Sequence, residues 1–382
     1  MSVLALLAGA CSDGDVSAEG PAETTTTELA VDGSAQPGAP GVFPGDEWET
    51  IDAAEAGIDQ GALDEIAADA EAGLSNCLLV TRGGKLVDEW YWQGTGPDSV
   101  QEVFSASKSF TSVLMGIAAD EGSFSVDDEA SQWIPEWQGT DSEPVTVEQL
   151  LNNTSGRFQD FQTDYVEMAA RATDKTAFSV GLDQQHEPGT EWVYNNAAIQ
   201  TLEAVFEGST GEDLSDFAAE RLFGPLGMDD SSLIRDAAGN PLTFMGIQST
   251  CRDMARFGLL ALRRGNWDGQ QVVSEQWMAD STGRSSQELN AAYGWLWWVN
   301  RGGIVLGGDE ASGEADKGEV RQLVQGAPED MFFALGLGGQ MIAIDPGTDT
   351  VVVRLGEATY PDGTEKFERD DIVRVATEAV TG

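Results

Sequence analysis

The segments with strand character in this chain lie near its two ends, and the segments between them have helical character. A hairpin is predicted over residues 78–91, because two apolar runs flank the Gly83-Gly84 turn. Three further strands are predicted near the other end, at 331–335, 341–345 and 350–355. Because a strand buries its apolar face only within a sheet that packs on another layer, the two chain ends are expected to meet in one antiparallel sheet.

Helices complete the predicted architecture. Terminal helices are predicted at 59–72, capped by Asp59 and Gly73, and at 369–380. Four more helices are predicted in the middle of the chain, at 108–120, 147–152, 197–207 and 252–264. The expected fold class is therefore α/β of the α+β type, in which an antiparallel sheet flanked by terminal helices adjoins a mostly helical lobe at about 105–300. The active site is expected in the cleft between the two lobes.

The first 45 residues differ in composition from the rest of the chain. Residues 1–11 form a short apolar run that resembles the end of a bacterial lipoprotein signal peptide, with Cys11 as the lipidated residue. No basic residue precedes Arg82, so this signal is interpreted as truncated. Residues 12–45 are predicted to form a disordered acidic tether, and 46–382 the folded domain. These features predict an exported protein of the bacterial cell envelope or exterior, in contact with a membrane only through that lipid.

Acidic residues dominate the charge of the chain. Asp and Glu total 66 against 20 Lys and Arg, which gives a formal net charge of −46. A field of this sign repels phosphate backbones, so nucleic acid is excluded as a predicted partner, and strongly anionic small molecules are disfavoured. Adaptation to a saline habitat is one explanation of the acidity, and a solubility bias in an exported protein is the other.

Cysteine and histidine are too scarce for a disulfide scaffold or a zinc site. Cys77 lies in an apolar strand-like run and Cys251 near the start of a helix, and both are predicted to be buried free thiols, with a disulfide as the alternative. The only histidine, His186, lies in a turn-like segment and is predicted to be a solvated loop residue. No Gly-x-Ser-x-Gly element accompanies it, so a histidine-based triad is disfavoured. Neither a metal nor a cofactor is predicted.

A Ser-x-x-Lys sequence at 105–108 offers a different route to nucleophilic catalysis. The spacing places Ser105 and Lys108 on one face at the opening of a helix, where backbone N–H groups favour a developing negative charge. A lysine amine acts as a base only when neutral, and desolvation in a closed cleft lowers its pKa toward that state. Alone, the motif occurs by chance in many chains.

Two further motifs follow along the chain: Tyr-x-Asn at 194–196, and Gly-x-Gly-Gly-Gln at 336–340 within the C-terminal strands. The order and spacing of the three motifs resemble those of the serine β-lactamase and penicillin-binding-protein superfamily. The resemblance is to its class C-related branch, with esterases, D-aminopeptidases and 6-aminohexanoate-dimer hydrolases. It covers about residues 46–382.

The resemblance implies roles for individual residues. Ser105 would be the nucleophile, Lys108 would take or relay its proton, and Tyr194 would act as general base and then protonate the leaving group. The oxyanion hole would consist of the backbone N–H groups of Ser105 and Leu337. The predicted substrate-binding residues are Asn196, Gly336 and Gly338.

One departure from the superfamily bears on the substrate. β-Lactamases carry Lys-Thr-Gly where this chain has Ala-Leu-Gly at 334–336, and that lysine helps to bind the carboxylate of the antibiotic. The sequence therefore predicts a serine hydrolase that cleaves esters or small linear amides, with a small-molecule acyl compound as substrate. A D-amino acid peptidase or weak β-lactamase acting on peptidoglycan-like substrates is one alternative. A non-catalytic surface binding module that kept the fold is the other.

Overall fold

The computed structural model describes residues 41–283, 289–307, 319–358 and 366–381. Its strands are β1 (Ser75–Arg82), β2 (Lys85–Tyr91), β3 (Gln101–Glu102), β4 (Ser232–Leu233), β5 (Ile247–Ser249), β6 (Asn266–Trp267), β7 (Gln270–Gln271), β8 (Trp298–Val299), β9 (Gly303–Val305), β10 (Glu319–Arg321), β11 (Phe332–Gly336), β12 (Gln340–Asp345) and β13 (Thr350–Gly356). Six of them form the main sheet, in the order β2-β1-β13-β12-β11-β8, and all pairings between them are antiparallel. The prediction that both chain ends build one antiparallel sheet is confirmed.

The α-helices are α1 (Gln60–Ala72), α2 (Ser107–Asp120), α3 (Val147–Leu151), α4 (Lys175–Val180), α5 (Asn196–Gln200), α6 (Leu202–Thr210), α7 (Leu214–Ala218), α8 (Gly224–Leu226), α9 (Cys251–Leu262), α10 (Glu275–Ser281) and α11 (Arg369–Ile372). Short 3₁₀ helices occur at Phe104–Ala106, Ala130–Gln132 and Pro135–Trp137, and π-helices at Gln162–Arg171, Ala219–Phe223 and Val375–Ala379. In the described part of the chain, no helix has the length and hydropathy that crossing a bilayer requires.

Each face of the main sheet packs against a different layer of helices. Side chains alternate along a strand, so Leu78 and Val80 of β1 point to one face and Leu79 to the other. The first face packs against α1 and the C-terminal helices, and Leu63 and Ile66 of α1 are completely buried there. The second face packs against α9 and the helical part of the chain. The mixed helix and sheet class predicted from the sequence is therefore confirmed.

Helix α2 runs through the middle of the helical part. Every residue from Ser107 to Ala118 is buried, so the helix has no solvent-facing side over three turns. A Cβ atom at Gly116 would lie 2.6 Å from the indole ring of Trp277, which shows how closely the neighbouring α10 approaches. A helix enclosed in this way gives its N-terminal end a fixed position in the molecule.

The ends of the folded region differ in detail from the prediction. Residues before 46 already pack on the domain: the Phe43 ring lies 5.2 Å from that of Trp267, and Arg256 donates to the carbonyl oxygens of Pro44 and Gly45. The packed chain therefore begins before residue 46. At the other end, the single helix expected over 369–380 is divided into α11 and a π-helix. The predicted signal at 1–11, with Cys11, and residues 12–40 of the predicted tether lie outside the described residues.

The prediction of two free thiols was wrong. Cys77 and Cys251 form a disulfide, with their Cα atoms 6.5 Å apart, inside the range such a bond requires. The alternation along β1 turns Cys77 toward the face covered by α9, and Cys251 is the first residue of that helix. The two cysteines are 174 residues apart in sequence, so only the packing of α9 on the sheet brings them together.

Candidate active site

Ser105 lies where the chain enters the enclosed helix α2. The 3₁₀ turn Phe104–Ala106 precedes the helix, and Phe104 has a φ of 47°, in the left-handed region that non-glycine residues seldom adopt. Lys108 follows one turn later, and its Nζ lies 2.9 Å from Ser105 Oγ. Ser105 keeps part of its surface exposed, whereas Lys108 is only 2% exposed. The structure thus brings an accessible hydroxyl into contact with a buried amine.

Lys108 contacts three oxygen atoms. Besides Ser105 Oγ, its Nζ donates to Asn196 Oδ1 at 2.7 Å and to the carbonyl oxygen of Phe244 at 2.9 Å. Burial lowers the pKa of Lys108 to about 7, against a smaller opposing effect of the negative charge of Asp164. A substantial fraction of this amine is therefore neutral near pH 7.

The partners of Lys108 also set the direction of its lone pair. The Asn196 and Phe244 oxygens are carbonyl oxygens, which accept hydrogen bonds but cannot donate them. A neutral amine has two hydrogens, and these two oxygens take both. The lone pair then faces the one partner with a hydroxyl hydrogen, Ser105. The arrangement can therefore withdraw the proton of Ser105.

Tyr194 lies beside Lys108 within a group of aromatic residues. Its ring is 4.8 Å from Lys108 Nζ, stacks on Trp298 at 6.0 Å and meets Tyr293 edge-on at 6.2 Å. Burial raises the pKa of Tyr194 well above its ordinary value, although a hydrogen bond with Ser105 acts in the opposite direction. Tyr194 therefore holds its proton at neutral pH, within reach of the Ser105 hydroxyl.

Asn196 is buried, and its amide is engaged within the protein. Asn195 caps α5 through a bond from Ala198 N to its side chain, which places Asn196 as the first residue of the helix. The Asn196 amide oxygen accepts from Lys108, and its Nδ2 donates to Asp164 Oδ2 at 2.7 Å. Asn196, predicted to bind substrate, forms a bridge between Lys108 and Asp164 in the structure. Its contact with substrate stays a prediction.

Asp164 is the site residue that sequence reasoning missed. It lies in the π-helix Gln162–Arg171, is 1% exposed, and accepts hydrogen bonds from the backbone N–H groups of Asn196 and Ala197 as well as from the Asn196 side chain. Burial raises the pKa of Asp164, and these donors act in the opposite direction. No motif marks the residue, because it precedes Asn196 by 32 positions in a generally acidic chain.

The end of β11 lies directly against the turn that carries Ser105. A Cβ atom at Gly336 would be 2.3 Å from the carbonyl oxygen of Val103 and 3.1 Å from the backbone nitrogen of Ala106, so only glycine allows this approach. Leu337 comes next in the chain and is 64% exposed. The structure therefore brings the predicted oxyanion residues Ser105 and Leu337 to adjoining backbone segments.

Two buried side chains hold the turn Gly336–Gly339, which contains Leu337. The turn closes with a bond from Gly339 N to Gly336 O at 3.1 Å, and Gly338 and Gly339 have φ values of 74° and 73°. Arg354 of β13 donates to the carbonyl oxygens of Gly338 and Gly339, and Gln340 donates to that of Leu337. Arg354 and Gln340 are both completely buried. Three successive carbonyl groups of the turn are thus bound by the interior of the protein.

His186 contacts a carboxylate close to it in sequence, and position 334 carries no charge. His186 is on a loop, and its Nε2 lies 3.4 Å from Glu191 Oε2. None of the hydrogen bonds of Lys108 described above involves His186. Ala334, at the position where β-lactamases carry the lysine of Lys-Thr-Gly, is completely buried in β11.

A comparison with known protein families matches residues 63–377 to the family model described as "Beta-lactamase". Among curated proteins, the 6-aminohexanoate-dimer hydrolase of Paenarthrobacter ureafaciens is 25% identical over 320 residues, which cover 76% of this chain and 75% of that protein. The D-aminopeptidase of Cereibacter sphaeroides is 32% identical over 143 residues, 35% of this chain and 26% of that protein.

Solved structures resemble the fold at low sequence identity. A penicillin-binding protein homologue from Caulobacter crescentus has a TM-score of 0.59 and 16% identity, and the match covers 84% of this chain and 97% of that one. A family VIII carboxylesterase has a TM-score of 0.60 and 16% identity, covering 83% of this chain and 96% of the other. At this level of identity, the likenesses confirm the predicted architecture.

Proposed function

The chain belongs to the β-lactamase family, and on that premise we propose that it is a serine hydrolase that cleaves esters or small linear amides through an acyl-enzyme on Ser105. One observation carries the proposal: the buried Lys108 amine, with a pKa of about 7, lies 2.9 Å from the accessible Ser105 hydroxyl. A base needs a pKa near the operating pH and a place within hydrogen-bond reach of the proton it takes. Lys108 meets both conditions.

Acylation would begin when neutral Lys108 takes the proton of Ser105 and Oγ attacks the substrate carbonyl carbon. The negative charge that forms on the carbonyl oxygen would be stabilised by the backbone N–H groups of Ser105 and Leu337, each contributing about 3 kcal/mol. Tyr194 would give its proton to the departing oxygen or nitrogen and recover one from Lys108. The C–O or C–N bond of the substrate breaks, and the acyl group stays on Ser105.

Deacylation would use the same groups in reverse. A water molecule attacks the acyl carbon and passes a proton through Tyr194 to Lys108, and the protonated Lys108 returns a proton to Ser105 Oγ as the acyl bond breaks. Asn196, Gly336 and Gly338 would hold the substrate on either side of this path. The raised pKa of Tyr194 supports a role for its phenol as a proton relay, and the lowered pKa of Lys108 supports its role as the resting base.

The surroundings of the site favour neutral substrates. Ala334 supplies no cation to bind a carboxylate, Leu337 presents an exposed apolar side chain beside the oxyanion position, and the net charge of −46 repels anions. These features favour a neutral ester or amide over a carboxylate-bearing antibiotic. A D-amino acid peptidase or weak β-lactamase is the second candidate, because a protein named D-aminopeptidase is 32% identical over 143 residues.

The test uses the full chain and its Ser105→Ala variant, in moderate and in high salt, with a fluorophosphonate and with short p-nitrophenyl esters. We expect one phosphonyl adduct by intact mass and measurable ester turnover in the parent, and neither in Ser105→Ala. A folded parent that gives no adduct and no turnover at either salt would refute the proposal and favour a binding module. Stable labelling by fluorescent penicillin, with little ester turnover, would favour the second candidate.

We also propose that the protein works outside the cytoplasm, held by a lipid on Cys11. The disulfide between Cys77 and Cys251 supports this, because such bonds persist in oxidising compartments and are rare in the cytosol. Expression in a bacterial host of the chain preceded by a basic n-region, which completes the signal, tests the proposal. We expect the parent in the membrane fraction, with Cys77 and Cys251 resistant to alkylation before reduction, and the Cys11→Ser variant in the soluble fraction. Identical fractionation of the two proteins would contradict lipidation.

A further inference from the structure

The side-chain amide of Asn196 connects Asp164 to the amine of Lys108. Its Oδ1 accepts from Ala197 N at 2.7 Å, and its Oδ2 accepts from Asn196 N at 3.2 Å and from Asn196 Nδ2 at 2.7 Å. All three partners are N–H donors at the start of α5. An ionised carboxylate, which only accepts, fits these partners better than any other side chain of its size.

The contact with Nδ2 decides which way the Asn196 amide faces. The two ends of an amide have nearly the same shape, so packing alone does not select between them. An acceptor-only carboxylate on one side requires the NH₂ end there, and the carbonyl end must then face Lys108. The opposite orientation would set two acceptors together at Asp164 and direct an N–H group at the lysine.

We propose that Asp164 is a positioning residue of the acid–base site: it holds the Asn196 amide with its oxygen toward Lys108, so that the lone pair of the neutral lysine can face only Ser105. The inference rests on the proposed hydrolase function and deepens it. With the amide reversed, the Nδ2 hydrogen would compete with the Ser105 hydroxyl for the lone pair of Lys108. Lys108 would then accept a hydrogen bond from the Asn196 amide and not from the Ser105 hydroxyl that it must deprotonate.

Asp164 also bears on the charge of the site. In the described part of the chain, the charge of Asp164 acts on Lys108, and Tyr293, Tyr165 and Asp164 act on the neighbouring Tyr194. The three tyrosines are neutral when protonated, so the Asp164 carboxylate is the negative charge in this group, and it raises the pKa of Lys108 against the effect of burial. Removal of that charge should lower the pKa of Lys108 and displace the acid limb of the rate profile to lower pH.

The experiment compares Asp164→Asn with Asp345→Asn in the full chain. Asp345 is a suitable control because it is equally buried, at 1% exposed, and binds Gly347 and Thr348 at the far end of β12. The readout is kcat/KM for a p-nitrophenyl ester from pH 5 to 10, with phosphonylation of Ser105 in parallel. The amide of Asp164→Asn has one acceptor oxygen for three N–H donors, and its NH₂ end must face one of them. We therefore expect a loss of about 10²-fold on the plateau, and an acid limb about one pH unit lower because the negative charge is gone. Asp345→Asn should keep the rate and the acid limb of the parent.

A second variant exchanges the two partners, as Asp164→Asn/Asn196→Asp. The carboxylate introduced at position 196 can only accept, so it must present an oxygen to Lys108, while the amide introduced at position 164 can donate to the other oxygen of that carboxylate. We expect the exchange to recover at least about tenfold of the lost plateau rate, with an acid limb above that of the parent because a carboxylate now touches the amine. The exchange variant tests the positioning role of Asp164 even if Asp164→Asn alone folds poorly.

The proposal is overturned if Asp164→Asn keeps the parent's rate and acid limb, or if the folded exchange variant recovers no activity. These outcomes differ from failure of the hydrolase function, in which the parent itself would neither turn over ester nor form an adduct. A parent that reacts at Ser105, beside variants that lose rate without any change in acid limb and without rescue, would leave Asp164 a purely structural residue.

Discussion

The two sides of the candidate site consist of different kinds of groups: side chains on one side and backbone on the other. On one side, Lys108, Asn196 and Asp164 form a chain of side chains that runs from Ser105 into the helical part of the molecule. On the other side, the backbone at the end of β11 lies against the Ser105 turn, and its side chain at Leu337 points into solvent. The first side offers groups that change protonation, and the second offers fixed dipoles.

This difference determines which substitutions each side tolerates. On the acid–base side, the chemistry is lost with the side chain that carries it. On the proposed oxyanion side, the identity of Leu337 should matter little. The residues expected to matter are those that fix the backbone: Gly336 by its lack of a side chain, and Arg354 and Gln340 by the carbonyl groups they bind. The second side is therefore expected to be most sensitive at residues that act by fixing the backbone and not through a side chain that contacts the substrate.

Removal of the base should have the largest effect. We expect Lys108→Met to lower the rate of Ser105 acylation by about 10³-fold, because general base catalysis contributes about 10²–10⁴-fold in enzymes. Stopped-flow or single-turnover measurement with a p-nitrophenyl ester checks the value. Arg264→Met, at an exposed surface position that pairs with Glu275, serves as the control and should react like the parent. An acylation rate within tenfold of the parent would refute the role of Lys108.

A methyl group at Gly336 should have the next largest effect, on the oxyanion side. The added Cβ would lie 2.3 Å from the Val103 carbonyl oxygen, so Gly336→Ala must push β11 away from the Ser105 turn. We expect a loss of about 10²-fold in kcat, as when one oxyanion donor is removed. Gly83→Ala is no control, since Gly83 has a positive φ, but Gly96→Ala is one, because that position has open space and an ordinary φ. Equal kcat in Gly336→Ala and Gly96→Ala would contradict the assignment.

The pH profile should separate the two sides, since only one of them titrates. Lys108 is active as a base when neutral, so kcat/KM should fall about tenfold per pH unit below its pKa of about 7 and stay level above it until other groups titrate. The Gly336→Ala variant should show the same acid limb at a lower plateau. An acid limb that moves with Gly336→Ala would mean that the two sides are not independent.

Arg354→Lys should weaken the oxyanion side from a distance. The guanidinium binds Gly338 O, Gly339 O, Gly73 O and Ser75 Oγ together, and a single ammonium group cannot reach all four. We expect kcat to fall by about tenfold, which is less than the loss when an oxyanion donor is removed. The acid limb should change little. Ester kinetics, with circular dichroism to verify the fold, measure this. A changed acid limb with an unchanged plateau would contradict it.

The smallest effect is expected at the residue closest to the oxyanion. Leu337→Ala keeps the backbone N–H group and removes a side chain that is 64% exposed, so kcat for a small acetyl ester should change by less than about threefold. KM for longer acyl chains should rise if the side chain contacts them. A loss in kcat as large as that of Gly336→Ala would show that the Leu337 side chain, and not its backbone N–H group, stabilises the transition state.

The same contrast explains what the sequence could predict. The Ser105–Lys108 contact follows from one turn of helix, and the hairpin of β1 and β2 follows from two runs around Gly83-Gly84, so both are local patterns. The Asp164–Asn196 contact spans 32 residues and the Cys77–Cys251 bond spans 174 residues. Neither contact produces a periodic pattern in the sequence. Arg354 in β13 resembles any polar residue of a strand until the sheet order places it under the Gly338–Gly339 turn.

The order of the strands also sets when this protein can fold as it leaves the ribosome. An inner pair of the sheet joins β1 to β13, and Thr81 and Val351, which bond across it, are 270 residues apart. At about 5–20 residues per second, the intervening chain takes roughly 15–50 s to synthesise. Throughout that interval β1 lacks this neighbour, so the nascent chain cannot complete its sheet.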